Sequence, residues 1–106
     1  QASLATVARS FGRMVRLGGG WWFNDTPVGM RRQLEYIGSV DLLYNFAGMV
    51  SDSRKILSYA SRFEMFRRVL CDVVGIFVLR AQMPQNLAEN LVRRMSYDGP
   101  KSFYDL

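Results

Sequence analysis

One apolar stripe constrains this chain more than any other feature. Ile56, Leu57, Ala60, Phe63, Phe66, Leu70, Val73, Val74, Phe77 and Ala81 recur at the three- and four-residue spacing of a single helix face. The pattern predicts a helix from about Ser53 to Gln82, roughly 45 Å long at 1.5 Å per residue. A compact chain of this size has a radius of gyration of only about 13 Å. The helix is therefore expected to project beyond the globule that the other residues can build. Phe63, Phe66, Leu70, Val73 and Phe77 would then form a partner-interface stripe, covered by another subunit or a lipid surface.

Weaker patterns flank it. Asp25-Thr26-Pro27 is a helix start, with Thr26 or Asp25 as cap and Pro27 at the first helical position. Ile37, Val40, Leu43, Tyr44, Ala47 and Val50 carry that helix onward, with Glu35, Asp41 and Asn45 on its polar side. Ser51-Asp52-Ser53 interrupts it and offers the cap of the long helix. Pro84 opens a shorter helix through Leu87, Leu91 and Met95, and Asp98-Gly99-Pro100 turns into an aromatic tail, Phe103-Tyr104. Neither an internal repeat nor a strand pattern stands out.

The first 24 residues hold three Arg and no acid, with Leu4, Val7, Phe11, Met14 and Val15 at helical spacing. Such a profile matches a mitochondrial transit segment, here retained as a basic arm lying against a partner. Gly18-Gly19-Gly20 ends it as a freely turning linker. No G-x-x-x-x-G-K-[ST] spacing surrounds these glycines, so they are not read as a phosphate loop. The expected fold is all-α: an extended, hairpin-like arrangement of about three helices with a basic N-terminal arm. Its divisions fall at residues 1–24, 25–97 and 98–106.

The residue census disfavours chemistry. With no histidine, the chain offers no Ser-His or Cys-His pair and no imidazole metal ligand. Its single cysteine, Cys71, stands beside the acid Asp72 and reads as a buried structural residue. Glu35, Asp41, Asp52, Glu64 and Asp72 are scattered, and Glu64 with Arg68 reads as a surface ion pair. The expectation is a non-enzyme with no cofactor and no metal.

The charge then asks for a partner. Of the 14 basic residues, against 9 acidic ones, all but Lys55 and Lys101 are Arg, and the net charge is +5. Anionic lipid, nucleic acid and an acidic protein surface all fit such a balance. Nucleic acid is disfavoured, because no RNA-binding module is present. Trp21, Trp22 and Phe23 suit a core, an interface or a membrane-interface belt. With Arg31 and Arg32 close behind, Trp21 and Trp22 are candidate contacts for anionic phospholipid. The longest uncharged apolar run, Val73 to Leu79, falls well short of the ~20 residues of a spanning helix.

Small, basic, helical and catalytically silent, the chain resembles the supernumerary subunits of mitochondrial inner-membrane complexes, either respiratory complexes or ATP synthase. That resemblance implies an accessory subunit that assembles or stabilises such a complex, bound to core subunits and to cardiolipin. A local stretch, Ser51-Asp52-Ser53-Arg54-Lys55-Ile56-Leu57 continuing to Arg62-Phe63-Glu64, is similar to a motif of the peroxisome-elongating peroxins. It departs from that motif at Ser58 and Tyr59. The second likeness implies membrane remodelling, with Arg54, Lys55 and Arg62 on headgroups and Phe63 and Phe66 inserted. A small mitochondrial ribosomal protein is the further alternative.

Overall fold

Thr26 and Pro27 start a helix as their chemistry requires. In the computed structural model, which describes residues 2–20, 26–39 and 43–105, helix α2 spans Pro27–Ser39 and follows α1, Ala2–Ser10. The Gly29 N–H donates to Thr26 Oγ1 at 3.0 Å, so Thr26 satisfies one of the first-turn donors that a helix leaves open. Helix α2 stops well before Val50. The Ser39 hydroxyl turns back to donate to the Tyr36 carbonyl at 2.6 Å, a local bond that competes with helix continuation. Leu43–Asn45 is a 3-10 turn, and Met49–Val50 is a strand, β2.

The glycines expected to be a linker form the partner strand. Gly19–Gly20, β1, pairs parallel with β2, Gly19 opposite Met49 and Gly20 opposite Val50. Close approach explains the composition. A Cβ on Gly18 would stand 2.9 Å from the Gly48 carbonyl oxygen, and one on Gly19 would stand 3.3 Å from the Phe46 ring. The Gly19 N–H donates to Gly48 O at 2.9 Å and the Ala47 N–H donates to Leu17 O at 2.7 Å. From α2, the buried Gln33 amide donates to Gly18 O at 3.1 Å, so its polar end is satisfied.

The long helix exists but is shorter than its sequence pattern suggests. Helix α3 spans Ile56–Leu79, 24 residues, and ends where Ala81 takes a positive φ of 56°. At about 36 Å it matches the 38 Å long dimension of a molecule whose radius of gyration is 13.4 Å. It runs the length of the fold rather than beyond it. Phe66, Leu70 and Val73 are buried against Leu34 and Ile37 of α2 and against Phe46, in one core. Phe63 and Phe77 are half-buried. The ends of the stripe stay in the open, Ile56, Leu57 and Ala60 at one end and Ala81 at the other.

Helix α4, Gln85–Arg93, folds back on α3 and adds Ala88 and Leu91 to the core. A single π-helical turn, Arg94–Asp98, then leads into α5, Gly99–Phe103, so the expected aromatic tail is helical up to Phe103. Helix α1 presents its small face inward: Ala5 and Ala8 are buried, while Leu4 and Val7 are exposed, as is Phe11 just after the helix. The chain is mostly helical, with one short parallel strand pair set among the helices.

Candidate functional site

Parallel strands must be joined by a crossover, and here α2 supplies it, giving a β1–α2–β2 unit with α3 following. Both strands end on the same side. In open or closed parallel sheets, the loops leaving the carboxyl ends of the strands carry the ligand sites, because the scaffold fixes their origin while leaving their residues free. The loop leaving β2 is Ser51-Asp52-Ser53-Arg54, and its residue types differ sharply from the apolar Phe46–Val50 run before it.

This loop is held tightly. Ser51 is 5% exposed, and its carbonyl accepts a 2.6 Å hydrogen bond from Nη1 of Arg62 on α3. A charge-assisted bond of this kind contributes about 1.5–3 kcal/mol. Next in the chain, Asp52 has φ +48°, in the left-handed region where a non-glycine residue costs about 1–2 kcal/mol. The bond is strong enough to offset the strain. Asp is among the few side chains that tolerate this region, and strained residues held by their surroundings gather at functional sites. The Ser53 hydroxyl is buried without a hydrogen-bond partner among the described residues. Asp52 and Arg54 are exposed.

The expected helix cap is not formed. Lys55 occupies the cap position of α3 and makes no side-chain cap bond, so Asp52 is free of that duty. A carboxylate and a guanidinium two residues apart on one rigid strand-end loop can exchange a proton with a small molecule and hold its anionic group. Sequence reading missed Asp52 by taking Ser51–Ser53 for a cap, and gave Arg54 a lipid headgroup rather than a small-molecule anion. The available signal was the five-residue apolar run Phe46–Val50, with its glycine, immediately before a polar cluster and a helix. Among the described residues, no three metal-ligating side chains converge.

The residues expected to meet lipid or partners sit elsewhere. Trp21 and Trp22 lie outside the described residues. Arg31 Nη2 pairs with Asp72 Oδ2 at 2.5 Å, tying α2 to α3, and Arg32 is exposed. Of the phenylalanines expected to insert into a membrane, Phe66 is in the core, stacked on Phe46 with ring centroids 5.9 Å apart. The stripe residues Leu70 and Val73 share that core, so they face inward rather than toward another subunit.

Many of the arginines are internal struts. Besides Arg31 and Arg62, Arg94 donates to the Tyr44 carbonyl at 2.8 Å with its guanidinium 3.7 Å from that residue's ring centroid, and Arg16 stacks 4.5 Å from the centroid of Phe103. Arg68 and Arg67 both bond Glu64 at 2.9 Å and hold its carboxyl below its ordinary value, Arg68 contributing most. The ion pair read between Glu64 and Arg68 is thus present, with Arg67 added. Cys71, expected to be buried, is exposed beside the groove between α3 and α4.

Comparison with known proteins gives this arrangement a context. A family model described as glucuronate isomerase matches residues 1–104. A uronate isomerase of Thermotoga sp. (strain RQ2) is 58% identical over 102 residues, and one of Actinobacillus succinogenes is 45% identical over 92. These alignments cover 96% and 85% of this chain, but 22% and 20% of the relatives. The crystal structure of uronate isomerase from Thermotoga maritima superposes with a TM-score of 0.92 at 56% identity, over 96% of this chain and 22% of that one. The chain spans about a fifth of the length of the relatives it matches.

These relatives overturn several expectations. They are bacterial isomerases, so the mitochondrial inner-membrane location and the accessory-subunit, peroxin and ribosomal readings fall together. Cardiolipin and membrane-complex subunits fall with them as partners. Among the described residues no helix is long and apolar enough to cross a membrane. The acid-free basic start misled because its composition and helical spacing match those of a transit segment. The non-enzyme reading is corrected as well: the relatives are named as enzymes, and a census of one fifth of their length does not count the residues of the rest. This chain belongs to the glucuronate isomerase family.

Proposed function

We propose that this chain contributes part of the active site of a uronate isomerase. Its share is the strand-end loop that carries Asp52 and Arg54. The observation that carries the reading is the position of Asp52: left-handed backbone, φ +48°, directly after a parallel strand and a buried, clamped Ser51. The family supports the substrate class, since its members are named for a sugar acid.

Moving a carbonyl between neighbouring carbons of a sugar acid requires a proton to leave the carbon beside the carbonyl. A carboxylate in reach of that carbon can take it and return it to the adjacent one, while the proton of the neighbouring hydroxyl passes to the former carbonyl oxygen. Asp52 is assigned this acid–base role, and Arg54 is assigned the substrate's carboxylate, which a guanidinium meets with paired N–H donors. Helices α2, α3 and α4 form a hairpin-like scaffold behind the loop. Within that scaffold, the division at residues 1–24, 25–97 and 98–106 is our proposal for its segments, to be tested by limited proteolysis.

The test is steady-state kinetics with glucuronate on the full-length isomerase that contains this segment. Asp52→Asn is expected to lower kcat by about 100- to 10,000-fold, the range for a lost acid–base group. Arg54→Met is expected to raise KM strongly, as a lost binding contact does. Wild-type kinetics in both variants would refute the assignment.

A further inference from the structure

Asp52 cannot set its own direction. The Ser51 carbonyl and the Asp52 nitrogen belong to one planar peptide unit. The φ of Asp52 is the rotation measured from that plane, and the side chain leaves from the carbon it turns. Whatever fixes the plane therefore fixes where the carboxylate starts. Among the described residues Arg62 does so, reaching from α3 across eleven positions of sequence to donate to Ser51 O at 2.6 Å. Its own helix is anchored by Phe66, one turn further along and buried in the core against Phe46.

We propose that Arg62 is a positioning residue for the isomerase reaction. It holds the Ser51–Asp52 peptide in one orientation and maintains the left-handed turn that presents Asp52 to the sugar acid. Arg62 does not touch substrate; it acts through the backbone. The proposal rests on the assignment of Asp52 and Arg54 given above. An apolar or shorter neutral side chain at position 62 would leave the buried Ser51 carbonyl without its donor and let the peptide plane rotate. The contact with Ser51 uses a single N–H, so an ammonium on a flexible stem can replace it in part.

The experiment compares Arg62→Gln, Arg62→Lys and Asp52→Asn in the full-length isomerase, reading kcat, KM for glucuronate and melting temperature. Arg62→Gln is expected to lower kcat about 10- to 100-fold, the loss typical of an ångström-scale misplacement. KM should stay within about threefold of wild type, and Arg62→Lys should recover most of the lost turnover. Added guanidinium ion, at concentrations well below denaturing, should restore part of the Arg62→Gln rate. Wild-type turnover in Arg62→Gln beside an inactive Asp52→Asn would overturn the positioning role alone. Wild-type turnover in Asp52→Asn would overturn the site assignment and the positioning role with it. Should Arg62→Gln fail to fold, Arg62→Lys carries the test: kcat a few-fold below wild type at unchanged KM and melting temperature supports the role, and kcat equal to wild type contradicts it. A loss that merely tracks melting temperature contradicts it.

Discussion

Phe46 and Phe66 stack with their rings 10° from parallel, joining the segment just before β2 to the middle of α3. Both are buried, and Phe46 is among the largest fully buried side chains of the core. The contact sets where β2 lies relative to the helix that clamps its far end. Phe46→Ala is therefore expected to destabilise by about 3–5 kcal/mol, as deletion of a buried ring does. Denaturant melts of the full-length isomerase check it, and a loss under about 1 kcal/mol would mean the site collapses around the gap.

Gly18 gives a second prediction, on the strand pair itself. A methyl group there would stand 2.9 Å from the Gly48 carbonyl oxygen, a backbone atom that cannot swing aside. Gly18→Ala should force β1 and β2 apart and cost about 1–3 kcal/mol. Because β2 leads into the Ser51–Arg54 loop, turnover should fall with it. Thermal melts and glucuronate turnover on the same preparation measure both effects.

Much of the helical frame is legible in the sequence, and the reasons are local. Thr26-Pro27 starts α2 because a hydroxyl cap and a fixed φ act within one turn. The apolar stripe reveals α3 because burial on one face repeats with the helix period. Gly19–Gly20 and Met49–Val50 are different. Each strand is two residues long, and one is all glycine, so neither shows an alternating pattern. Their pairing is a long-range event that only packing reveals. The same holds for Arg62 and Arg94, whose partners Ser51 and Tyr44 are backbone carbonyls brought close by the fold. A charge count reads such residues as solvated. Asp52 was misread because Ser-Asp-Ser before a helix is also the signature of a cap.

Glu64 predicts a pH dependence. Arg68, then Arg67, hold its carboxyl below the ordinary 4.5. A group depressed in the folded state stabilises above its unfolded value, and that stability is lost as pH falls through the folded value. Glu64→Gln should therefore be slightly less stable than wild type at pH 7, and the difference should shrink at an acid pH below the ordinary carboxylate value. The difference should be small, because the carboxyl is exposed and solvent screens both pairs. Urea melts at the two pH values test the sign.

Arg31 and Asp72 bridge α2 and α3 with both side chains partly open to solvent. Asp72→Asn is expected to change stability by less than about 1 kcal/mol, as exposed pairs do. A larger loss in thermal melts would assign the α2–α3 junction to this pair rather than to the Leu34, Ile37 and Leu70 core.

Asp52 separates function from stability. Glycine accepts φ +48° without the side-chain clash that aspartate tolerates, so Asp52→Gly relieves strain while removing the carboxylate. The decisive measurement is the glucuronate turnover of the full-length Asp52→Gly variant, taken beside its melting temperature. Turnover lowered by at least about 100-fold, with a melting temperature equal to or above wild type, is the predicted result. Turnover within about threefold of wild type would contradict a chemical role for the β2 strand end.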